Sequence, residues 1–367
     1  MPGRVHEVRI DRSKPLAQQP TQGHNRWHPR IPPVVRLDPG DEVILETLDA
    51  LDGQVTPDST SASLASVDLN PVHPLTGPVW VNGAEEGDLL EVQIVDVIPQ
   101  PFGFTAQIPG FGFLRDVFTE PFLVRWQMEG GFATSPDLPR VRIPEASFPG
   151  VIGLAPSESQ LHQIIAREQD TAARGGVALP PDPRGAVPAD EPIASEGIRT
   201  IPPRETAGNM DVKQLTKGTT IYFPVWTQGA LLSIGDAHYA QGDGEICGTA
   251  IEMGATFHLR IGLQKGAARE RGIRGTQFAG ETVLSAPRRY YATTGLSMRG
   301  TEVQESEDAT LAARNAMLAM IDHLQERGYS RQQAYAICSV AVDLKVSEVV
   351  DVPNFIVSAF LPLDIFV

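Results

Sequence analysis

The sequence predicts an α+β protein that is predominantly β. It has a β-sandwich or barrel-like N-terminal part, a β-rich central part and an α/β C-terminal part. Three observations carry this expectation. Runs of Val, Ile and Leu cut by the turn signals PGD, NG and EGD fill residues 1–100, the pattern of antiparallel sheet. The 34 glycines and 31 prolines among 367 residues favour short elements joined by turns. The one long helical periodicity comes late, at 305–327.

Taken in order, "VVRLDPGDEVILETLDA" places a turn at Asp38-Pro39-Gly40-Asp41 before the strand-like "EVILETL". "GPVWVNGAEEGDLLEVQIVDVIP" repeats that logic, with turns at Asn82-Gly83 and Glu86-Gly87-Asp88. Shared turn chemistry explains so weak a repeat as well as duplication does. "PFGFTAQIPGFGFL", in the Phe/Gly/Pro-rich stretch 101–150, reads as a loop that packs on the core or lines a pocket. Ser157 caps a helix whose Leu161, Ile164 and Ile165 recur at helical spacing. A Pro/Gly linker follows at 174–192. "TTIYFPVWTQGALLSIGD" and "EICGTAIEMGATFHLRIGLQK" are strands again. The late helix lays Leu311, Leu318, Ile321 and Leu324 on one face, widened by Met317 and interrupted by Arg314 and Asn315; Gly328 stops it. Ser330 and Gln333 form a capping box for a short helix, "RQQAYAICSVA". The expected parts are 1–150, 151–192 and 193–367.

The formal charge of −15, from 45 acidic and 30 basic residues, leaves no basic footprint for nucleic acid. No stretch approaches the roughly 18 apolar residues of a membrane span, and the N-terminus lacks the apolar core of a secretion signal. Cys247 and Cys338 lie far apart in apolar surroundings, so a disulfide framework is not expected and a reducing cytoplasm is.

Chemistry concentrates in "SIGDAHYAQGDGEICGTAIE", residues 233–252. A calcium loop starting at Asp236 fails, because Cys247 stands where a bidentate Glu belongs. Gly242-x-Gly244 lacks the third glycine of a dinucleotide loop and leads into a strand. HExxH, CxxC, GxxxxGK[ST] and GxSxG do not occur. What remains is a hairpin with its turn at Asp243-Gly244. Asp236 and His238, two apart in an extended segment, share a face and can hold one divalent ion or pair with each other. Glu245, Cys247 and Thr249 share a face of the return strand, with Glu252 beyond. Cys247 is either an inert buried thiol or a nucleophile that needs a base such as His238. In "IPPRETAGNMDVKQLTKG", Arg204, Glu205, Asn209, Asp211 and Lys213 form plain surface or deliver Asn209 and Asp211 to the same site. In "GHNRWHPRIPP", the prolines prevent a helical His24/His28 pair, and Trp27 and His28 are candidates to line a substrate pocket.

Three segments together resemble the acetamidase/formamidase family: "HNRWHP…IPPV…PGDEV…ETLDA", "VHPLTGPVWVNGAEEGDLLEV" and "PPRETAGNMDVKQLTKGTTIYFPV…GALLSIGDAHYAQGDGEICGTAIE". The resemblance continues through "GYSRQQAYAICSVAVDLKVSEVVDVPN" and so covers nearly the whole chain. It implies hydrolysis of small amides to a carboxylic acid and ammonia, a β-rich fold with an α/β part, and a homo-oligomer, a trimer being expected. Some relatives act on γ-lactams. "HNRWHP" is most similar to the formamidase branch. Ala207 stands where a glycine is common, and 100–150 is short for that branch, which leaves the amide itself open.

Amide hydrolysis needs an activated nucleophile, a stabilised oxyanion and a proton for the leaving amine. Ser-Ser-Lys and Cys-Glu-Lys arrangements are not signalled. The expectation is therefore a divalent ion, zinc, held by Asp236, His238, Asp211 and Glu252, with Glu245 as general base. Asn209 and the backbone of Gly242 and Gly244 would meet the oxyanion, and His28 and Trp27 would close over the small amide. A thiol amidase using Cys247 and a non-catalytic amide binder are the alternatives.

Overall fold

The computed structural model describes residues 3–281 and 287–367. Among these, six strands form one sheet in the spatial order Val5–Val8, Glu42–Glu46, Ala255–Gln264, Leu89–Pro99, Thr220–Pro224, Gln277–Ala279. The first pair is parallel and the other pairs are antiparallel. A larger sheet of eleven strands runs through Phe122–Glu129, Phe102–Gln107, Glu252–Met253, Leu232–His238, Phe148–Leu154 and Ala207–Asn209, with Leu75–Val81 also paired to Leu232–His238. Both sheets draw strands from either side of residues 150 and 192. One hydrophobic core joins Val43, Val92 and Ile152 to Phe257, Ile321 and Ile337, so the expected parts interleave in space. No helix among the described residues is long and apolar enough to cross a membrane.

The turn chemistry acts as its sequence implies. Gly40 and Gly87 take the positive φ that their turns require, at 99° and 92°. Asp41 accepts the Asp38 N–H, and Asp88 the Glu85 N–H, so the two PGD/EGD units share one side-chain lock. Ser157 caps the helix Glu158–Ala173, and Ser330 with Gln333 makes a capping box on Arg331–Ala341.

Two expectations are corrected. Phe102–Gln107, read as loop, is a strand paired along its length with Phe122–Glu129. Its stabilising partners are distant in sequence, so no local pattern announces it. The long helix, Ala309–Glu326, turns Ala312, Ala316, Met317, Met320, Ile321 and Leu324 inward, while Leu311 and Leu318 are only half-buried. Gly295 explains the rotation: a Cβ there would lie 2.0 Å from Ala312 O, so strand and helix backbones touch where side chains are small. This helix packs on a three-stranded sheet of Tyr290–Leu296, Ile356–Pro362 and Asp343–Glu348.

Candidate active site

Asp236 and His238 sit near the end of the strand Leu232–His238, and Glu252 opens the short strand directly opposite, in register with His238. All three are buried. His238 Nε2 lies 3.4 Å from Asp236 Oδ1 and 3.2 Å from Glu252 Oε2. Glu245 Oε1 stands 3.7 Å from the same nitrogen, and Asp211 Oδ1 is 4.0 Å from His238 Nδ1. Four carboxylates thus converge on one imidazole. Asp211, Asp236 and Glu245 all hold left-handed backbone, with φ of 50°, 52° and 43°. Such conformations cost about 1–3 kcal/mol each and persist where the surroundings over-determine them, as at functional sites.

The hairpin differs from expectation in one respect. The return strand is only Glu252–Met253, and 239–251 is a long connection with a turn at Asp243-Gly244. Glu245 and Cys247 therefore lie on this loop and not on a strand face. The helix Arg331–Ala341 holds the loop from outside. Ser339 O accepts from Gly242 N (2.9 Å), and the Ser339 hydroxyl accepts from Cys247 N (3.0 Å) and donates to Thr249 O (2.7 Å). Tyr335 Oη donates to Ile246 O. Lys213 bridges Asp243 and Asp343, joining the loop to the C-terminal sheet.

Gln241 fixes the ring. Its Nε2 donates to Asp211 O (2.9 Å), which turns its Oε1 to His238 Nδ1 (2.9 Å). That oxygen can only accept, so Nδ1 carries a proton and Nε2 faces the carboxylates. Burial works against charge on His238, yet Glu252 and Asp236 outweigh it and raise its pKa well above the ordinary value. Burial raises Asp236 too, but His73 and His238 prevail and hold it below the usual carboxylate range. Glu252 is pushed by burial to about 8, Asp211 by burial to about 7, and Glu245 upward by burial and by Asp211. Like charges this close cannot all ionise without a compensating cation or retained protons.

The residues fit a cation. Asp211 Oδ1, Asp236 Oδ1, His238 Nε2 and Glu252 Oε2 are buried and lack hydrogen-bond partners. Two sets, Asp236/His238/Glu252 and Asp211/His238/Glu245, each bring three donor atoms within 4.8 Å of one another. Gly150 leaves the space open: a Cβ there would meet His238 Cε1 at 2.6 Å and Asp236 Oδ2 at 2.7 Å.

A cavity of about 50 Å³ adjoins this centre, lined by Asp236, Glu245, Glu252, Asn209, His73, Phe111 and a wall of Leu51, Leu69, Val72, Ile108 and Ile201. His73, which sequence reasoning did not single out as a site residue, brings Nε2 to 3.8 Å from Asp236 Oδ2. Burial lowers its pKa, against the pull of Asp236. Only its place in "VHPLTGP" marked it.

Other expected residues lie elsewhere. Trp27 packs with Leu75, Val151, Leu161, Ile164 and Ile198, paired through its strand to Ile198, and does not line this cavity. His28 accepts the Arg30 N–H and faces Glu196 at 3.7 Å. Gly242 spends its N–H on Ser339, and Gly244 is exposed beside Leu344, so neither points a donor into the cavity. Asn209 lines it, but its Nδ2 donates to Ile201 O and its unpartnered atom is Oδ1, an acceptor. Cys247 is fully buried, contacts Thr249 at 3.5 Å, and has its pKa raised by burial. Arg204 and Glu205 are tied to the helix Glu158–Ala173 through Glu168 and Arg167.

Residues 9–367 match the model of the Acetamidase/Formamidase family. The chain belongs to this family. A formamidase of Methylophilus methylotrophus is 38% identical over 98% of this chain and 93% of its own length. An acetamidase of Mycolicibacterium smegmatis is 37% identical over 89% and 87%. A solved structure of the gamma lactamase from Delftia acidovorans superposes with a TM-score of 0.93 at 37% identity, covering 99% of this chain and 93% of that one. The acetamidase/formamidase fold therefore extends through the whole described chain, including the strands that carry Asp236, His238 and Glu252.

Proposed function

We propose that this member of the acetamidase/formamidase family cleaves the C–N bond of small amides at a centre where Asp236, His238 and Glu252 hold a divalent cation, with Asp211 and Glu245 beside it. The observation that supports this most directly is the set of four buried, unpartnered donor atoms that His238 Nε2 makes with oxygens of Asp211, Asp236 and Glu252. Oxygen and nitrogen donors in this number suit zinc. Such an ion, when bound, lowers the pKa of a water and polarises a carbonyl.

The chain's own groups divide the remaining work. Glu245, half-buried and lining the cavity, takes the proton of the attacking water at a carboxylate oxygen and returns it to the leaving nitrogen. Asn209 Oδ1, unpartnered, accepts an N–H of the substrate amide in this reading. Leu51, Val72 and Ile201 exclude water behind the acyl group. Cys247 has no base beside it among its hydrogen-bond partners and takes no part.

Ammonia release from formamide, acetamide and propionamide, with ring opening of a γ-lactam, tests the reaction. Metal analysis before and after chelation tests the centre. Full turnover by a metal-free sample would remove the cation from the scheme and leave the amidase.

A further inference from the structure

We propose that Phe111 sets the size of acyl group the cavity admits, so that the native site takes amides of one- or two-carbon acyl groups and excludes longer ones. This rests on the amide-hydrolysis reading of the same site.

Among the described residues lining the cavity, Phe111 alone is exposed, at 38%. It therefore stands where the cavity meets solvent. The cavity is small, its volume of about 50 Å³ being only a few times the 10–15 Å³ that one water needs, so each added methylene takes up a large share of it.

The ring is placed by packing. A Cβ on Gly248 would meet Phe111 Cδ1 at 2.4 Å and Cε1 at 2.6 Å, so the aromatic edge rests on loop backbone three residues beyond Glu245. Gly248 also holds a φ of 91°, which disfavours any side chain there. Behind the ring, a Cβ on Gly112 would meet Cys247 O at 2.7 Å and Tyr335 Oη at 3.0 Å, and Leu114 N donates to that same phenol. Tyr335, together with the Phe113 N–H that donates to Ile246 O (2.8 Å), thus ties the Phe111 turn to the loop of Glu245. Ile108 and Ile201 complete the apolar wall without reaching solvent as Phe111 does.

The test compares wild type, Phe111→Ala and Phe111→Leu for ammonia release from formamide, acetamide, propionamide and butyramide. One methylene in an apolar pocket is worth roughly 10–200-fold in kcat/KM. The expected result is a butyramide-to-formamide ratio at least about tenfold higher in Phe111→Ala than in wild type, with Phe111→Leu between them. Turnover of both amides in the wild-type ratio by both variants overturns the inference and leaves the amidase reading standing. So does loss of all turnover in both variants, because a wall residue alters selectivity and not the chemistry. A wild type that prefers butyramide also overturns it. A wild type that releases ammonia from none of the four sinks the amidase reading first and this inference with it.

Discussion

His24 and His238 are equally buried, yet their charges are driven in opposite directions. His24 hydrogen-bonds Ser233 Oγ at 2.7 Å and stands edge-on to Trp27; burial lowers its pKa to about 4. His238 stands edge-on to Phe148, is met by four carboxylates, and has its pKa raised. The lesson is that burial alone makes a histidine a neutral structural group. Convergent acids make it a centre. In sequence the two looked alike, each a His in a polar run near glycine.

Removing an acid beside His238 should separate the two histidines most. Glu245→Gln should lower turnover by about 10²- to 10⁴-fold while bound metal, measured by elemental analysis, stays at the wild-type level. His238→Ala should lose both. His24→Ala should keep metal and turnover but lower unfolding free energy in urea by about 1–3 kcal/mol, since Ser233 loses its partner. Metal loss in His24→Ala would erase the distinction between the two.

A steric test comes next. Gly150→Ala adds one methyl where His238 and Asp236 leave less than 3 Å. Metal content should fall sharply, with the far-ultraviolet circular dichroism of the wild type retained. A variant that binds metal normally would show that the cluster can move aside.

Stability should depend on pH with opposite signs at the two sites. Glu252 has a folded pKa of about 8 against 4.5 ordinarily, so the metal-free fold binds the extra proton and its contribution is lost as pH rises from about 4.5 through 8. His24 has a folded pKa of about 4 against 6.5, so its contribution is lost as pH falls from about 6.5 to 4. Urea unfolding of the metal-free protein should therefore show stability falling toward pH 8, with Glu252→Gln flattening that slope and added zinc cancelling it. His24→Ala should flatten only the acid limb.

The smallest effect is expected at Cys247. Its thiol is buried and hydrogen-bonds Thr249, so Cys247→Ala should leave turnover nearly unchanged and cost about 1 kcal/mol of stability. Abolished turnover with metal intact would restore the thiol alternative.

What could be read from the sequence was what neighbouring residues decide. Turns at Asp38–Asp41 and Glu86–Asp88, caps at Ser157 and Ser330, and the Asp236/His238 pair all depend on spacings of a few residues. Family membership was legible too, since several such spacings recur together. His73, Ser339 and Tyr335 were not legible as parts of the site, because they reach it from a connection and a helix far away in sequence. Trp27 and His28 drew attention by type, but their segment pairs with Ile198 behind the site. The inward face of the long helix was misjudged because Gly295, on another element, selects small residues over leucines.

The grip of Ser339, Tyr335 and Asp343 on the loop of Glu245 has a consequence for synthesis. The acids lie between residues 211 and 252, and the helix that positions their loop lies about ninety residues later. On the ribosome the loop of Glu245 therefore leaves the tunnel before the helix that holds it, and it is expected to take its final position only once Arg331–Ala341 has emerged.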